Sequence, residues 1–157
     1  MLQYFTLPVT PFQQNCSVVY DDQTRQAAVI DPGGDLDALL AEVERRGLKL
    51  NQIWLTHAHI DHAGGAGQLA RERGLPIVGP HPADQFWIDG LPQQSRMFGF
   101  PAAEAFTPTR WLHDGDTVTI GQQTLAATYW DTEDLRLSRA GLTNDDGSLA
   151  CNRFSSS

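Results

Sequence analysis

Short apolar runs, separated by turn residues, dominate the first half of the chain. Runs of this length, bounded by glycine, proline, aspartate or asparagine, are typical of β-strands. A further pair of runs around Gly121-Gln122 predicts a hairpin. The predicted strands are Leu2–Leu7, Cys16–Tyr20, Gln26–Asp31, Leu50–Leu55, Leu75–Val78, Thr117–Ile120 and Gln123–Ala126.

Other segments have helical spacing. Apolar residues recur every three or four positions between Leu36 and Val43, after Asp35 as an N-cap and before Gly47 as a stop. We also expect a helix at Gly67–Arg73 and a helical turn with an aromatic side at Pro80–Ile88. Residues 89–108 have no clear period, and we expect an ordered segment there that could form part of a lid. A helix at Leu135–Leu142 is weakly indicated.

This order of elements predicts a mixed α/β (α+β) fold, in which helices flank a mixed sheet. Helices can cover one face of such a sheet, so the other face needs a second sheet. At 157 residues the chain suits one domain with a real core.

The charge and composition of the chain argue against some classes of binding partner. The net charge is −8, and Lys49 is the only lysine, which argues against nucleic acid and against an anionic membrane surface. The start of the chain lacks the features of a signal peptide, and no apolar run has membrane-spanning length, so we expect a cytoplasmic protein. Two distant cysteines, Cys16 and Cys151, do not form a disulfide framework.

The stretch Thr56–Gly65 concentrates the candidate chemistry. Three of the five histidines, His57, His59 and His62, fall within six positions, with Asp61 among them. This spacing suits a loop that leaves a strand, where alternate residues point to one side. Imidazole and carboxylate are the ligand types that hold zinc or a similar divalent ion. These four residues are therefore the candidate metal ligands.

The pattern Thr-His-x-His-x-Asp-His resembles the signature of the metallo-β-lactamase superfamily. Flanking segments are also similar to that family, and some to its bacterial glyoxalase-II-like (hydroxyacylglutathione hydrolase-like) branch. These segments are Thr10–Cys16, Val29–Gly34, His81–Trp87, Arg110–Leu112 and Asp114–Gly121. The resemblance implies that residues 1–126 are the N-terminal part of an αββα sandwich.

The resemblance also implies a reaction. His57 and His59 would serve one metal position, and Asp61 and His62 a second, with two Zn²⁺ ions in the complete family site. A metal-bound hydroxide would hydrolyse a small-molecule thioester such as S-lactoylglutathione, and Asp61 would act as the catalytic residue that orients it. Asp31 resembles a carboxylate that fixes a ligand histidine, although a simple turn aspartate before Pro-Gly-Gly is about as good an interpretation.

Later parts of the family pattern are missing. The family places a third histidine in a Pro-Gly-His setting after the 117–126 hairpin, then a bridging aspartate and another histidine, whereas the last histidine here is His113. We therefore expect one zinc ion or weak occupancy. Residues 127–157 are expected to be divergent, and non-native or poorly ordered, leaving an exposed sheet face that favours self-association. Candidate replacement ligands are Asp131, Glu133 and Asp134. His81 and His113 are also candidates, but a surface or loop position is the better interpretation of each.

Two function classes remain from this reasoning. The first is a zinc-dependent thioester hydrolase whose activity is impaired in this chain. The alternative is a non-catalytic remnant of such a hydrolase that binds metal or a partner. A nucleic-acid-processing role is the weakest option because the chain is acidic. A serine or cysteine nucleophile lacks a supporting motif.

Overall fold

The structure is a computed structural model that describes residues 2–129 and 135–139, and the side chains of residues 2–127. Its strands are β1 Leu2–Val9, β2 Gln14–Asp21, β3 Gln26–Ile30, β4 Lys49–Trp54, β5 Ile77–Val78, β6 Thr117–Ile120, β7 Gln123–Tyr129 and β8 Leu135–Arg139. Its helices are α1 Leu36–Arg45, α2 Ile60–Ala63, α3 Ala66–Arg73, α4 Gln85–Asp89 and α5 Leu91–Phe98, with a 3₁₀ turn at Pro82–Asp84.

The strands form two sheets. The larger has the order β1-β2-β3-β4-β5, with β1, β2 and β3 antiparallel and β3, β4 and β5 parallel. The smaller is antiparallel, with the order β6-β7-β8. Helix α1 supplies the crossover between the parallel strands β3 and β4, as parallel pairing requires. The mixed α/β fold predicted from the sequence is confirmed.

Successive residues of the central strands face two different cores, because side chains alternate across a strand. On β2, Val18 packs into a core shared with the helices, and Val19 packs into a core between the sheets. The helix-side core includes Leu39 of α1 and Leu69 of α3. The inter-sheet core joins Val19, Ala28, Ile30, Trp54, Val118, Ile120, Leu125 and Ala127.

The smaller sheet therefore covers much of the sheet face that we expected, from the sequence, to be exposed. Trp54, on that face, has no exposed surface. Two polar contacts also join the sheets: Gln52 Nε2 donates to Thr119 O at 2.7 Å, and Gln122 N donates to Asp21 Oδ2 at 2.8 Å. Towards the outer strand β1 the same face opens to solvent, with Tyr4 43% exposed. Self-association through this face stays a prediction.

Two secondary-structure predictions need correction. The segment 89–108, predicted to lack a regular period, contains helix α5, which follows Gly90, has Pro92 in its first turn and ends at Gly99 with φ of 71°. The helix predicted at Leu135–Leu142 is wrong. Residues Leu135–Arg139 pair with β7 as a strand, in the register Tyr129↔Leu135 to Leu125↔Arg139. Leucines two positions apart, at 135 and 137, fit this strand period.

The expected boundary at residue 126 stays a prediction. Strand β7 continues from Gln123 to Tyr129, and residues 130–134 and 140–157 of the expected divergent segment lie outside the described residues. Among the helices that the structure describes, none has the length and apolarity needed to cross a membrane.

Candidate metal centre

The candidate ligands lie where strand β4 ends and the chain turns into α2. His57 and His62 are almost fully buried, at 5% and 1% exposure. Their rings lie 3.8 Å apart between centroids, and the rings of His57 and His59 lie 4.9 Å apart. The short helix α2 brings Asp61 and His62 back towards the strand end. The structure thus gathers the four predicted residues, although their assignment as metal ligands stays a prediction.

Asp31, at the end of β3, anchors this loop. Its Oδ1 accepts a hydrogen bond from Thr56 N at 2.8 Å. Its Oδ2 accepts from Thr56 Oγ1 at 2.5 Å and from His62 Nδ1 at 2.9 Å. Asp31 is fully buried and its φ is 57°, a backbone conformation that costs a non-glycine residue energy. Its side chain therefore orients His62 while its backbone begins the turn, so both interpretations made from the sequence apply.

These contacts assign the protons on the two buried imidazoles. A carboxylate only accepts hydrogen bonds, so His62 must carry its proton on Nδ1. The Thr56 hydroxyl donates a hydrogen bond to Asp31, so its oxygen, 3.2 Å from His57 Nδ1, accepts a hydrogen bond from that nitrogen, which carries the proton. In the neutral rings, Nε2 of both His57 and His62 is then left with a free lone pair, the form that binds a metal ion.

The electrostatics of the two rings differ. Burial, helped by the neighbouring His62, lowers the pKa of His57 to about 3, so this ring is neutral at physiological pH. Burial also opposes protonation of His62, but the charge and hydrogen bond of Asp31 outweigh it and raise the pKa of His62 above its ordinary value. Because a ligand imidazole must be unprotonated, His57 is ready to bind a metal, whereas binding at His62 would release a proton.

The donor set fits a divalent ion. His62 Nε2 lies 3.4 Å from Asp61 Oδ2. Two ligand atoms each about 2.1 Å from a tetrahedral zinc ion are about 3.4 Å apart, so this pair has the separation of atoms that share one ion. One atom from each of Asp31, His57 and His62 also falls within 4.8 Å of the other two. Since three donors already occupy the Asp31 carboxylate, we assign Asp31 to orientation and not to ligation.

Two side chains that sequence reasoning missed hold the backbone of the histidine loop. The buried Asp84, in the 3₁₀ turn, accepts from Ala58 N through Oδ2 at 3.0 Å. Gln94, on α5, accepts from Ile60 N at 2.9 Å and donates through Nε2 to Trp87 O at 3.0 Å. The segment after β5 is thus a support for the loop. Nothing in the local spacing of Asp84 or Gln94 points to these contacts.

A glycine keeps space for the Asp61 peptide. A Cβ atom at Gly33 would lie 1.9 Å from Asp61 O and 2.5 Å from the Asp61 carbonyl carbon. The Pro32-Gly33-Gly34 turn therefore approaches the metal loop more closely than any side chain permits.

The two histidines proposed as replacement ligands are not part of this cluster. His81 and His113 form a separate pair, with ring centroids 5.3 Å apart. His81 Nδ1 accepts a hydrogen bond from Ala83 N, and His113 lies beside Asp116. Asp131, Glu133 and Asp134 lie outside the described residues.

Comparisons with known proteins place this geometry in a family. The model of the "Metallo-beta-lactamase superfamily" matches residues 9–134. The hydroxyacylglutathione hydrolase GloC of Haemophilus influenzae is 45% identical over 107 residues, which cover 68% of this chain and 50% of that protein. A hydroxyacylglutathione hydrolase of Bdellovibrio bacteriovorus is 32% identical over 104 residues, covering 66% of this chain and 34% of that protein. The chain spans about half the length, or less, of these curated relatives.

Solved structures agree on the fold. The B3 metallo-β-lactamase BLEG-1 superposes with a TM-score of 0.74 and 28% identity, covering 87% of this chain and 67% of that one. TTHA1623, solved in a di-iron-bound form, gives a TM-score of 0.73 and 27% identity, covering 86% and 66%. The resemblance to the glyoxalase-II-like branch is also confirmed, because curated relatives carry that enzyme's name. The chain belongs to the metallo-β-lactamase superfamily.

Proposed function

We propose that this chain is a metal-dependent hydrolase of the glyoxalase-II-like kind, acting on a hydroxyacylglutathione-type thioester, with zinc as its metal. The observation that carries the proposal is the pair of buried imidazoles, His57 and His62, whose Nδ1 atoms contact Thr56 and Asp31, so that their Nε2 atoms are the ones available to a metal beside the Asp61 carboxylate. The names of the relatives support the substrate class.

His57, His59, Asp61 and His62 would hold the metal. When bound, a divalent ion supplies Lewis-acid activation of water and of the substrate carbonyl. Asp61 is the acidic group best placed to accept a hydrogen bond from the attacking water, since 21% of its side chain is exposed whereas Asp31 is fully buried. Asp31 and Thr56 keep the rings in position and hold their protons on Nδ1, away from the reacting atoms. The buried surroundings strengthen these interactions by excluding water.

A second candidate is a metal-binding remnant without turnover. Of the described residues, only His57 and His59 would serve the first metal position in this proposal, and the sequence holds no histidine after His113. A catalytic zinc site normally has three protein ligands. We therefore propose that activity is weak and that occupancy is about one ion per chain.

Metal analysis combined with a thioesterase assay separates the two candidates. The purified chain is loaded with Zn²⁺ or Fe²⁺, its metal content is measured, and hydrolysis of S-lactoylglutathione is followed. We expect Asp61→Asn to lower kcat/KM at least about 100-fold. Glu72→Gln, which changes an exposed carboxylate on α3, serves as the matched control and should leave the rate unchanged. About one metal ion per chain with no turnover would exclude the catalytic candidate and leave the remnant. Less than about half a metal ion per chain with no turnover would contradict both candidates.

The proposal includes a cytoplasmic protein without nucleic-acid or membrane partners. It is supported by the net charge of −8 and the single lysine. Self-association through the open part of the inner sheet face, around Tyr4, belongs to the same proposal. Sedimentation velocity over a range of concentrations tests it, and a constant sedimentation coefficient would contradict it.

A further inference from the structure

A groove runs along the metal loop on the side of helices α4 and α5. Its volume is about 450 Å³, and both His59 and Asp61 line it. On one side, the ring of Trp87 stands edge-on to the ring of His59, with centroids 4.8 Å apart. On the other, Phe12 packs edge-on against Phe98 at 5.8 Å. The groove is therefore continuous with the candidate metal centre.

Large apolar side chains around this groove are open to solvent. Phe86 and Met97 are each 75% exposed, Phe12 is 53% exposed and Phe98 is 50% exposed. Exposing so much apolar surface in one place is unfavourable, and such patches commonly mark a binding site. Their position beside two candidate metal ligands indicates a ligand that also reaches the metal.

The charge of the groove restricts that ligand. Of the described residues that line it, none is lysine or arginine, and Asp61 is the carboxylate. The amides of Gln93 and Gln94 supply polarity, but Gln94 is already engaged by Ile60 N and Trp87 O. An anionic substituent would meet no countercharge from these residues, whereas an uncharged apolar chain would meet aromatic rings and a thioether.

We propose that this groove binds an apolar acyl group of the thioester substrate and selects for its length. This inference rests on the proposed function, because the substrate carbonyl must lie at His59 and Asp61 for the acyl chain to enter. The carboxylates of a glutathione moiety are excluded from the groove by its lack of cationic lining, so the acyl side of the thioester occupies it. The substrate class is thus a thioester with a medium-length aliphatic or aromatic acyl group.

The test measures binding separately from turnover. The probes are S-alkyl thioethers of N-acetylcysteamine, from S-butyl to S-octyl, which are uncharged and cannot be hydrolysed as thioesters. Full burial of a methylene strengthens binding about fourfold. Because the groove is open along one side, we expect the dissociation constant, measured calorimetrically with the full chain, to fall about twofold per methylene.

Two variants on α5 sharpen the test. Met97→Glu places a carboxylate in the groove at an exposed position, so the fold should tolerate it. Arg96→Gln changes the neighbouring exposed residue, which does not line the groove. We expect Met97→Glu to weaken S-octyl binding at least about tenfold and to flatten the dependence on chain length. Arg96→Gln should leave both unchanged.

The outcomes separate the two proposals. If affinity does not depend on chain length, or if the two variants behave alike, the groove does not bind the acyl group. If affinity rises with chain length but no thioester is hydrolysed by the metal-loaded chain, the groove binds apolar chains but the proposed function fails, and the assignment of the groove to a substrate acyl group fails with it. If thioesters are hydrolysed at rates that do not depend on acyl length, the proposed function stands and the groove inference is overturned.

Discussion

Replacing Gly33 with alanine would drive a methyl group into the peptide that carries Asp61. The added Cβ would lie 1.9 Å from Asp61 O, whereas real Cβ contacts essentially never fall below 3.0 Å. The two segments must therefore separate by about 1 Å. Both obstructing atoms are backbone, so no side-chain rotation can relieve the clash. Overpacking of this kind costs about 1–3 kcal/mol.

The neighbouring residue provides the matched control. A Cβ at Gly34 would meet only the side-chain methyl of Thr10, at 3.3 Å. Both substitutions reduce the conformational entropy of the unfolded chain by a similar amount. The difference between the free energies of unfolding of the two variants therefore isolates the clash, and we expect Gly33→Ala to be less stable by about 2 kcal/mol.

Two assays follow this displacement. Urea denaturation of the metal-free variants measures stability, and zinc titration against a chromophoric chelator measures affinity. Because Asp61 itself must move, we expect Gly33→Ala to bind zinc at least about tenfold more weakly than Gly34→Ala, within the range found when groups that orient ligands are disturbed. Equal stability and equal zinc affinity of the two variants would refute the close approach of the turn to the metal loop.

Three further predictions concern buried polar groups. Asp31→Asn should weaken zinc binding about 10–100-fold in the same titration, since it removes the charge that orients His62; unchanged affinity would contradict that role. Hydrogen bonds from Gln122 N and Gln23 N lower the pKa of Asp21, so its stabilising contribution is present above the unfolded-state pKa and is lost as pH falls through the lower folded-state value. The difference in urea midpoint between the wild type and Asp21→Asn should therefore be larger at pH 7 than at pH 3, and a constant difference would rule this out. Ser17 Oγ is buried without a hydrogen-bond partner in the part of the chain that the structure describes, so Ser17→Ala should be neutral or stabilising by about 1 kcal/mol on thermal unfolding, whereas a clear loss of stability would reveal a missed partner.

The candidate ligands could be predicted from the sequence because their geometry is local. His57 and His59 follow the end of one strand, and Asp61 and His62 lie in the single helical turn that comes next. These four residues fall within six positions of the chain, so their spacing alone indicates that they share a site. The strand before the motif was predictable for a similar reason, since β4 leads into the apolar residues Ile53, Trp54 and Leu55 directly before Thr56.

Helix α5 could not be predicted from its pattern, and the reason is physical. Only Leu91 and Ser95 are buried on this helix, whereas Met97 and Phe98 are exposed at the groove. Hydrophobic periodicity needs a window of about 11–18 residues, and α5 has only eight, so its few apolar residues do not establish a repeat. The turn residues at its two ends, Gly90 and Gly99, were the available signal.

The support of the loop lies beyond any local pattern. Alternate amides of the loop, at Thr56, Ala58 and Ile60, donate to side chains 25, 26 and 34 positions away. These acceptors come from the end of β3, from the 3₁₀ turn and from α5, so the fold must form before they meet the loop. An extended backbone directs alternate side chains to one side, and its alternate amides then need partners elsewhere. The extended backbone that brings His57 and His59 together therefore leaves amides that require hydrogen-bond acceptors. Asp31, Asp84 and Gln94 supply these acceptors. A chain that kept the motif but lost these acceptors would carry the ligands without holding their geometry.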